Sequence, residues 1–434
     1  MELKIRNFGP INDGYKCNNG FMIFPRVTMF CGPQGSGKST ITKVASSMMW
    51  LEKAAYVIGW AREEEVSFGK EFLCGVLDWH GLNSYFRTGT EISYHGDYVD
   101  LDFVEGKLTI RTRPQNGCTY GKPKIMYIPA ERNFLHIITK ESKLPSFFPS
   151  LSVLYKEFEK AKTWITSPYK LPINGYDFSL DKETGDYYVV NRTVDNTGES
   201  SKTPVQFSSS GIQSILPMLL ITDYLHDYVQ SKVTRKGLDI ESQSIGGNPF
   251  YKVGEDNTAK YIDNNASVAG DAFFSRIVSP CSNFTNIVEE PEQNLFPPTQ
   301  RLALRKLLSV ANSSAYNKLV LSTHSPYIVE DIIASTMASS IADAIVDAIK
   351  VKGEAQGVLC SYLEEVDKLY DKKSRMNINE VQMYETSHDG TICNVDEKNG
   401  CFSDKNFLNY HLRLGHDLLE ALFELKQLVK CASC

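Results

Sequence analysis

Three rhythms of apolar and polar positions divide the chain. Short, nearly continuous apolar runs occur at Arg26 to Cys31, in "FTNIVEEPE" and at Leu319 to Leu321. Each is bounded by polar or glycine-rich sequence, the pattern of a strand covered on both faces in a parallel sheet. Strict alternation appears in "EISYHGDYVDLDFVEGKLTIRTR" and in "GYDFSLDKETGDYYVV", where a polar turn contains Gly185. These predict antiparallel strands. Helical spacing predicts a short amphipathic helix in "SVLYKEFEKAKTWI" and a longer one in "FSSSGIQSILPMLLITDYL", with Ile212, Ile215, Leu216 and Leu219 on one face. Pro217 is expected to bend that helix or mark its restart. Leu414, Leu418, Leu422, Leu425 and Val429 outline a terminal helix suited to packing on a partner or on the body of the protein. The segment from about 235 to 280 is polar and rich in turn residues, which fits a surface loop or an ordered partner-binding insertion.

Composition narrows the class. The chain has 434 residues and 42% apolar content, enough for one large domain or two ordinary ones. No run of about eighteen uncharged apolar residues occurs, and the charged start "MELKIRNFGPINDG" does not read as a signal peptide. A cytoplasmic protein without a membrane segment is expected. Ten cysteines show no metal-ligand spacing apart from a C-x-x-C at Cys431 and Cys434, and reduced thiols are expected. A net charge of −6 gives no electrostatic footprint for nucleic acid.

Chemistry enters at "RVTMFCGPQGSGKSTITKV". A β-rich run leads into Gly32, Pro33, Gln34, Gly35, Ser36, Gly37, Lys38, Ser39 and Thr40 and then into a helix-compatible stretch, the phosphate-loop pattern in its strand–loop–helix context. Glycines let main-chain N–H groups turn onto phosphates, and the helix adds the positive end of its dipole. Lys38 is expected to reach the β- and γ-phosphates, and the Ser39 hydroxyl to bind Mg²⁺. "NIVEEPEQNLF" reads as the other half of the site. Glu289 is expected to hold the metal, and Glu290 to orient and deprotonate the attacking water. The competing reading opens a helix at Pro291 and makes the acids helix-start residues. In "NKLVLSTHSPYIV", a strand ending at His324 can bring an imidazole to the γ-phosphate. The serines before Gly211 can cap a helix whose N-terminus binds an anion.

Together, "GPQGSGKST", "SSSGIQS", "IVEEPEQNLFP" and "LSTHSPYIV" resemble, in order, the motifs of ABC-type ATPases. Within that superfamily they are most similar to the branch containing the overcoming-lysogenization (OLD), RecF and SMC proteins. "LKIRNFGPI" looks like the opening strand of that family, and "YIPAERNFL" resembles a segment of its OLD-like members. The resemblance implies an α/β fold: an ABC-type head with a mixed or parallel core sheet, an antiparallel β lobe and a helical subdomain. It implies a head over residues 1–350, with the polar insertion, and a C-terminal completion over 351–434 ending in the terminal helix. It also implies ATP and Mg²⁺ sandwiched between two copies, with Ser210 and Gly211 of one copy meeting the nucleotide held by Lys38 and Ser39 of the other. A homodimer or higher multiple follows. Three departures stand out: Ile212 replaces a second signature glycine, Glu289 replaces the commoner aspartate, and Ala130, Glu131 and Arg132 stand where many members place a glutamine.

No long coiled-coil arm and no Toprim nuclease motif is found. An ATPase without its own effector implies a separate one. The expected function is the sensor or scaffold ATPase of a prokaryotic anti-phage system of the Septu or PARIS type, paired with a nuclease or toxin. The alternative is a RecF-like DNA-repair ATPase.

Overall fold

The computed structural model describes residues 1–58, 65–114, 120–136, 149–230, 279–351, 356–398 and 401–422, less positions 167, 174, 182, 195–199, 411, 415–416, 419 and 421. It also describes three short strands, Tyr251–Val253, Ala259–Tyr261 and Ser267–Val268, which pair antiparallel. The rest of the 235–280 segment up to residue 278, Leu425, Val429 and the terminal cysteine pair lie outside the described residues.

At the centre is a seven-stranded sheet in the order Gly14–Tyr15, Thr391–Asn394, Val381–Thr386, Val27–Cys31, Lys318–Thr323, Asn283–Glu289 and Pro123–Ile128. The five strands from Val381–Thr386 to Pro123–Ile128 run parallel. Their residues alternate between two apolar cores. Phe30, Val320, Ile287 and Tyr127 point to one face, and Met29, Leu321, Val288 and Ile128 to the other. Two buried faces explain why these strands read as unbroken apolar runs.

One face carries the helix Lys38–Ile58 and the antiparallel lobe. The lobe has six strands in the order Met22–Ile23, Glu2–Phe8, Phe86–His95, Val99–Val104, Lys107–Thr112 and Glu65–Gly69. The other face carries helices Pro149–Trp164, Ser210–Val229, Pro297–Ala311 and Pro326–Val351, with a four-stranded antiparallel sheet from Tyr169 to Pro204. The architecture is mixed α/β, with a mostly parallel core, an antiparallel lobe and a helical layer.

Two sequence expectations that offered alternatives are narrowed. The helix Ser210–Val229 runs unbroken through Pro217, so it does not restart. The proline lacks the N–H that would reach the Gln213 carbonyl one turn back. That carbonyl instead accepts from His136 Nε2, 2.8 Å away. The terminal helix leaves Leu414, Leu418 and Leu422 43%, 62% and 52% exposed, so these three do not pack on the body. Pro326–Lys350 is long and apolar enough to cross a membrane by length and composition. It carries Glu330 and Asp331, and Asp331 pairs with Arg305 at 2.9 Å.

Candidate functional site

Parallel register brings the carboxyl ends of four strands to one edge: Cys31 lies beside Thr323 and Glu385, and Ser322 beside Glu289. In an open α/β sheet this is where ligands bind. The loop Gly32–Gly37 leaves that edge and enters the helix at Lys38. Gly32, Gly35 and Gly37 all have positive φ, at 140°, 74° and 94°. At Gly32 the need for glycine is also steric, because a Cβ there would sit 2.3 Å from the Thr386 carbonyl oxygen. Ser36 closes the loop, with its hydroxyl 2.7 Å from the Pro33 carbonyl and 2.6 Å from Thr386 Oγ1. Gln34, Gly35 and Ser39 are exposed at the open side, and no atom lies within 4 Å of a Cβ built on Gly35.

Lys38 is buried, and its ammonium donates to the carbonyls of Gly32 (3.0 Å) and Pro33 (2.6 Å). Burial lowers its pKa to about 8, against the pull of Cys31, Glu290, Glu292 and Glu289. A desolvated ammonium held at the neck of a glycine loop is suited to an anion, which would restore the solvation that burial removes.

The acidic strand ends as its sequence suggests, but the carboxylates diverge. Glu289 is buried on the face toward Lys38–Ile58, where Oε1 accepts from Thr42 Oγ1 at 3.3 Å, one turn beyond Ser39. Beside it in register, the Ser322 hydroxyl is buried with no partner among the described residues. A carboxylate and an unsatisfied hydroxyl facing the loop helix are hard oxygen donors, and they fit Mg²⁺ with its retained waters. Glu290 turns away in a left-handed conformation (φ 43°) and is half-exposed. Its pKa is raised by burial and by Glu289. His324 Nε2 lies 3.7 Å from Glu290 Oε1. Burial and Lys38 lower the pKa of His324, which favours the neutral imidazole.

Pro291 lies in a turn, and the next helix begins only at Pro297, so the acids are not helix-start residues. Glu292 instead caps the neighbouring strand end, accepting from the His324 main-chain N–H at 2.7 Å. The residue missed by sequence reasoning is Arg132. It is fully buried on a short 3-10 helix, Ala130–His136, just beyond the strand Pro123–Ile128. Its guanidinium donates to the main-chain carbonyls of Glu289 (2.7 Å), Glu290 (2.7 Å), Ser214 (3.0 Å) and Pro129 (3.1 Å). Burial lowers its pKa to about 10, so it remains charged at neutral pH. The only sequence signal was an arginine where a glutamine was sought.

Of the three serines, Ser209 caps the helix Ser210–Val229, the signature helix that the family resemblance implies, accepting from the Ile212 N–H. Ser210 is exposed at the first turn. Gly211 packs on the turn after the acidic strand, where a Cβ would lie 2.7 Å from the Asn294 carbonyl oxygen.

No protein-family model and no curated protein matches the chain. Among solved structures it is similar to the SMC head domain from Thermotoga maritima, at 11% identity over 76% of this chain and 91% of that one, with a TM-score of 0.32. It is also similar to an SmcHead bound to the C-winged helix domain of ScpA, at 9% identity over 92% and 98% of the two chains and TM-score 0.32. A third is an Smc head with an extended coiled coil, bound to the C-terminal domain of ScpA derived from Pyrococcus furiosus, at 9%, 97% and 98%, with TM-score 0.29. At scores of this size the chemistry rests on the site's own geometry.

Proposed function

We propose that the chain is a Mg²⁺-dependent ATPase of the ABC type. The observation that carries this is the meeting, at one edge of a parallel sheet, of a glycine loop with a buried lysine and a strand ending in two carboxylates of different exposure. Gly32 to Thr40 hold the phosphates, and Ser39 and Glu289 hold the metal, which neutralises charge on the β- and γ-phosphates. Glu290 takes the proton of the attacking water, and His324 faces both Glu290 and the transferred group. Ser210 and Gly211 meet the nucleotide of a second copy, so ATP bridges a homodimer. The biological role that fits best is the cytoplasmic sensor or scaffold subunit of an anti-phage system with a separate nuclease or toxin effector.

The test is calorimetric titration with Mg-ATP, followed by specific activity against protein concentration. Wild type is expected to bind ATP, and Lys38→Ala to weaken binding about 100-fold. Activity per molecule should rise with concentration until dimer formation saturates. Tight binding independent of Lys38 sinks the ATPase reading. Activity that stays flat down to monomer concentrations sinks the shared site. Infection assays with the neighbouring open reading frame deleted test the defence role, which fails if protection needs no partner gene.

A further inference from the structure

Arg132 is an expensive residue to bury unless its charge and donors are all used. None of its four hydrogen bonds goes to a carboxylate; all go to main-chain carbonyls. Two of these belong to the consecutive residues Glu289 and Glu290, across the point where the chain turns into a left-handed conformation. The third belongs to Ser214, one turn after Ser210 on the signature helix. Two more contacts tie the same parts together. Ser214 Oγ donates to Gln293 Oε1 at 3.3 Å, and Gly211 sits against Asn294. The start of the signature helix and the acidic turn therefore form one body, with the planar fork of an arginine at its centre.

Resting on the ATPase reading above, we propose that Arg132 is a positioning residue that locks the water-activating Glu290 to the signature helix, so that contact of a second copy's nucleotide with Ser210 and Gly211 in one subunit sets Glu290 in that subunit's own site. The two ATP sites of a dimer are then coupled through each head, not only across the interface. Fixing the carboxylate through its main chain leaves its side chain free to act on water, which a salt bridge to the arginine would prevent.

The test uses the full chain and Arg132→Lys, which keeps the charge but lacks the fork needed to span Glu289, Glu290 and Ser214. With an unchanged melting profile, ATP affinity is expected to stay within about threefold while kcat falls about 100-fold, the scale set by misplacing a catalytic group by an ångström. Ser210→Arg should then cost far less in the Arg132→Lys background than in wild type, because the route it interrupts is already broken. A kcat within about threefold of wild type overturns the positioning role, and losses that multiply in the double variant overturn the coupling. If Arg132→Lys does not fold, hydrogen exchange is compared in Glu290→Gln with and without Ser210→Arg, at saturating ATP. ATP-induced protection of residues 287–293 should vanish with Ser210→Arg while protection of residues 32–40 remains. Persisting protection of 287–293 overturns the proposal. Loss of Lys38-dependent ATP binding in wild type is a different failure, which removes the ATPase reading itself.

Discussion

Two cations are buried at opposite ends of one strand, and they are neutralised in different ways. Lys124, near the start of Pro123–Ile128, forms an ion pair with Glu157 on the helix Pro149–Trp164, at 2.8 Å with both side chains almost fully buried. Arg132, just past the end of that strand, is held by carbonyls, with Glu292, Glu290, Glu289 and Glu131 near but not bonded to its guanidinium. The first arrangement is an ion pair that joins a strand to a helix. The second leaves the Glu290 carboxylate partly exposed at the sheet edge, where Lys38 also lies. One cation is paired with a carboxylate inside the core, and the other is held by main-chain carbonyls beside the candidate site.

The contrast is open to direct attack. The largest effect is expected at the carbonyl-held end: Glu290→Gln should retain ATP and lower single-turnover hydrolysis about 10²- to 10⁴-fold, the range for loss of a general base. Hydrolysis within tenfold of wild type would give the role to another group. At the ion-paired end, Lys124→Met strands a buried carboxylate. It should cost roughly 3–5 kcal/mol in urea unfolding while leaving turnover per folded molecule unchanged. Adding Glu157→Leu should recover most of that loss, and if it does not, the loss comes from more than the stranded carboxylate. For His324→Ala we expect a drop in kcat of about ten- to a hundredfold with ATP affinity nearly constant. Equal losses in both would make His324 a binding residue.

The smallest effect concerns His136, the other side chain on the Arg132 segment that grips a signature-helix carbonyl. Burial lowers its pKa to about 4, so it is neutral when folded, whereas the unfolded chain protonates near 6.5. Stability from this group is therefore full above pH 6.5 and is lost as pH falls toward 4, by about 1–3 kcal/mol. His136→Gln keeps a donor for the Gln213 carbonyl and should flatten part of the acid-side slope of stability against pH. His80, lowered to about 3, supplies a similar slope that remains.

The difference between the two ends also explains what the sequence could disclose. The glycine loop, the acidic strand end and the strand end at His324 are legible because each depends on neighbours a few residues away: a run that must be buried, a glycine that must turn, a carboxylate that burial would otherwise exclude. Arg132 was not legible. Three of its four partners lie 82, 157 and 158 residues along the chain, and all four are main-chain carbonyls, which every residue type presents alike. Which of the three serines caps was not legible for a similar reason. Three consecutive serines suit a cap equally, and only the backbone angles at Ser209 decide. Pro217 predicted a disturbed helix because its cost is local, whereas the compensating imidazole of His136 comes from a distant segment.

The contact between Gly32 and Thr386 has a consequence for the life of the protein before it is finished. Thr386 closes the first turn of the phosphate loop from the strand Val381–Thr386, about 350 residues later. A chain emerging from the ribosome presents its lysine, its acids and its histidine well before that strand exists. Until the strand arrives, Val27–Cys31 has a neighbour on one side only and the loop has no wall to fold against. On the proposed function, the site thus works as a completion check, and a prematurely terminated copy would hold Lys38, Glu289, Glu290 and His324 and still lack the wall of its loop.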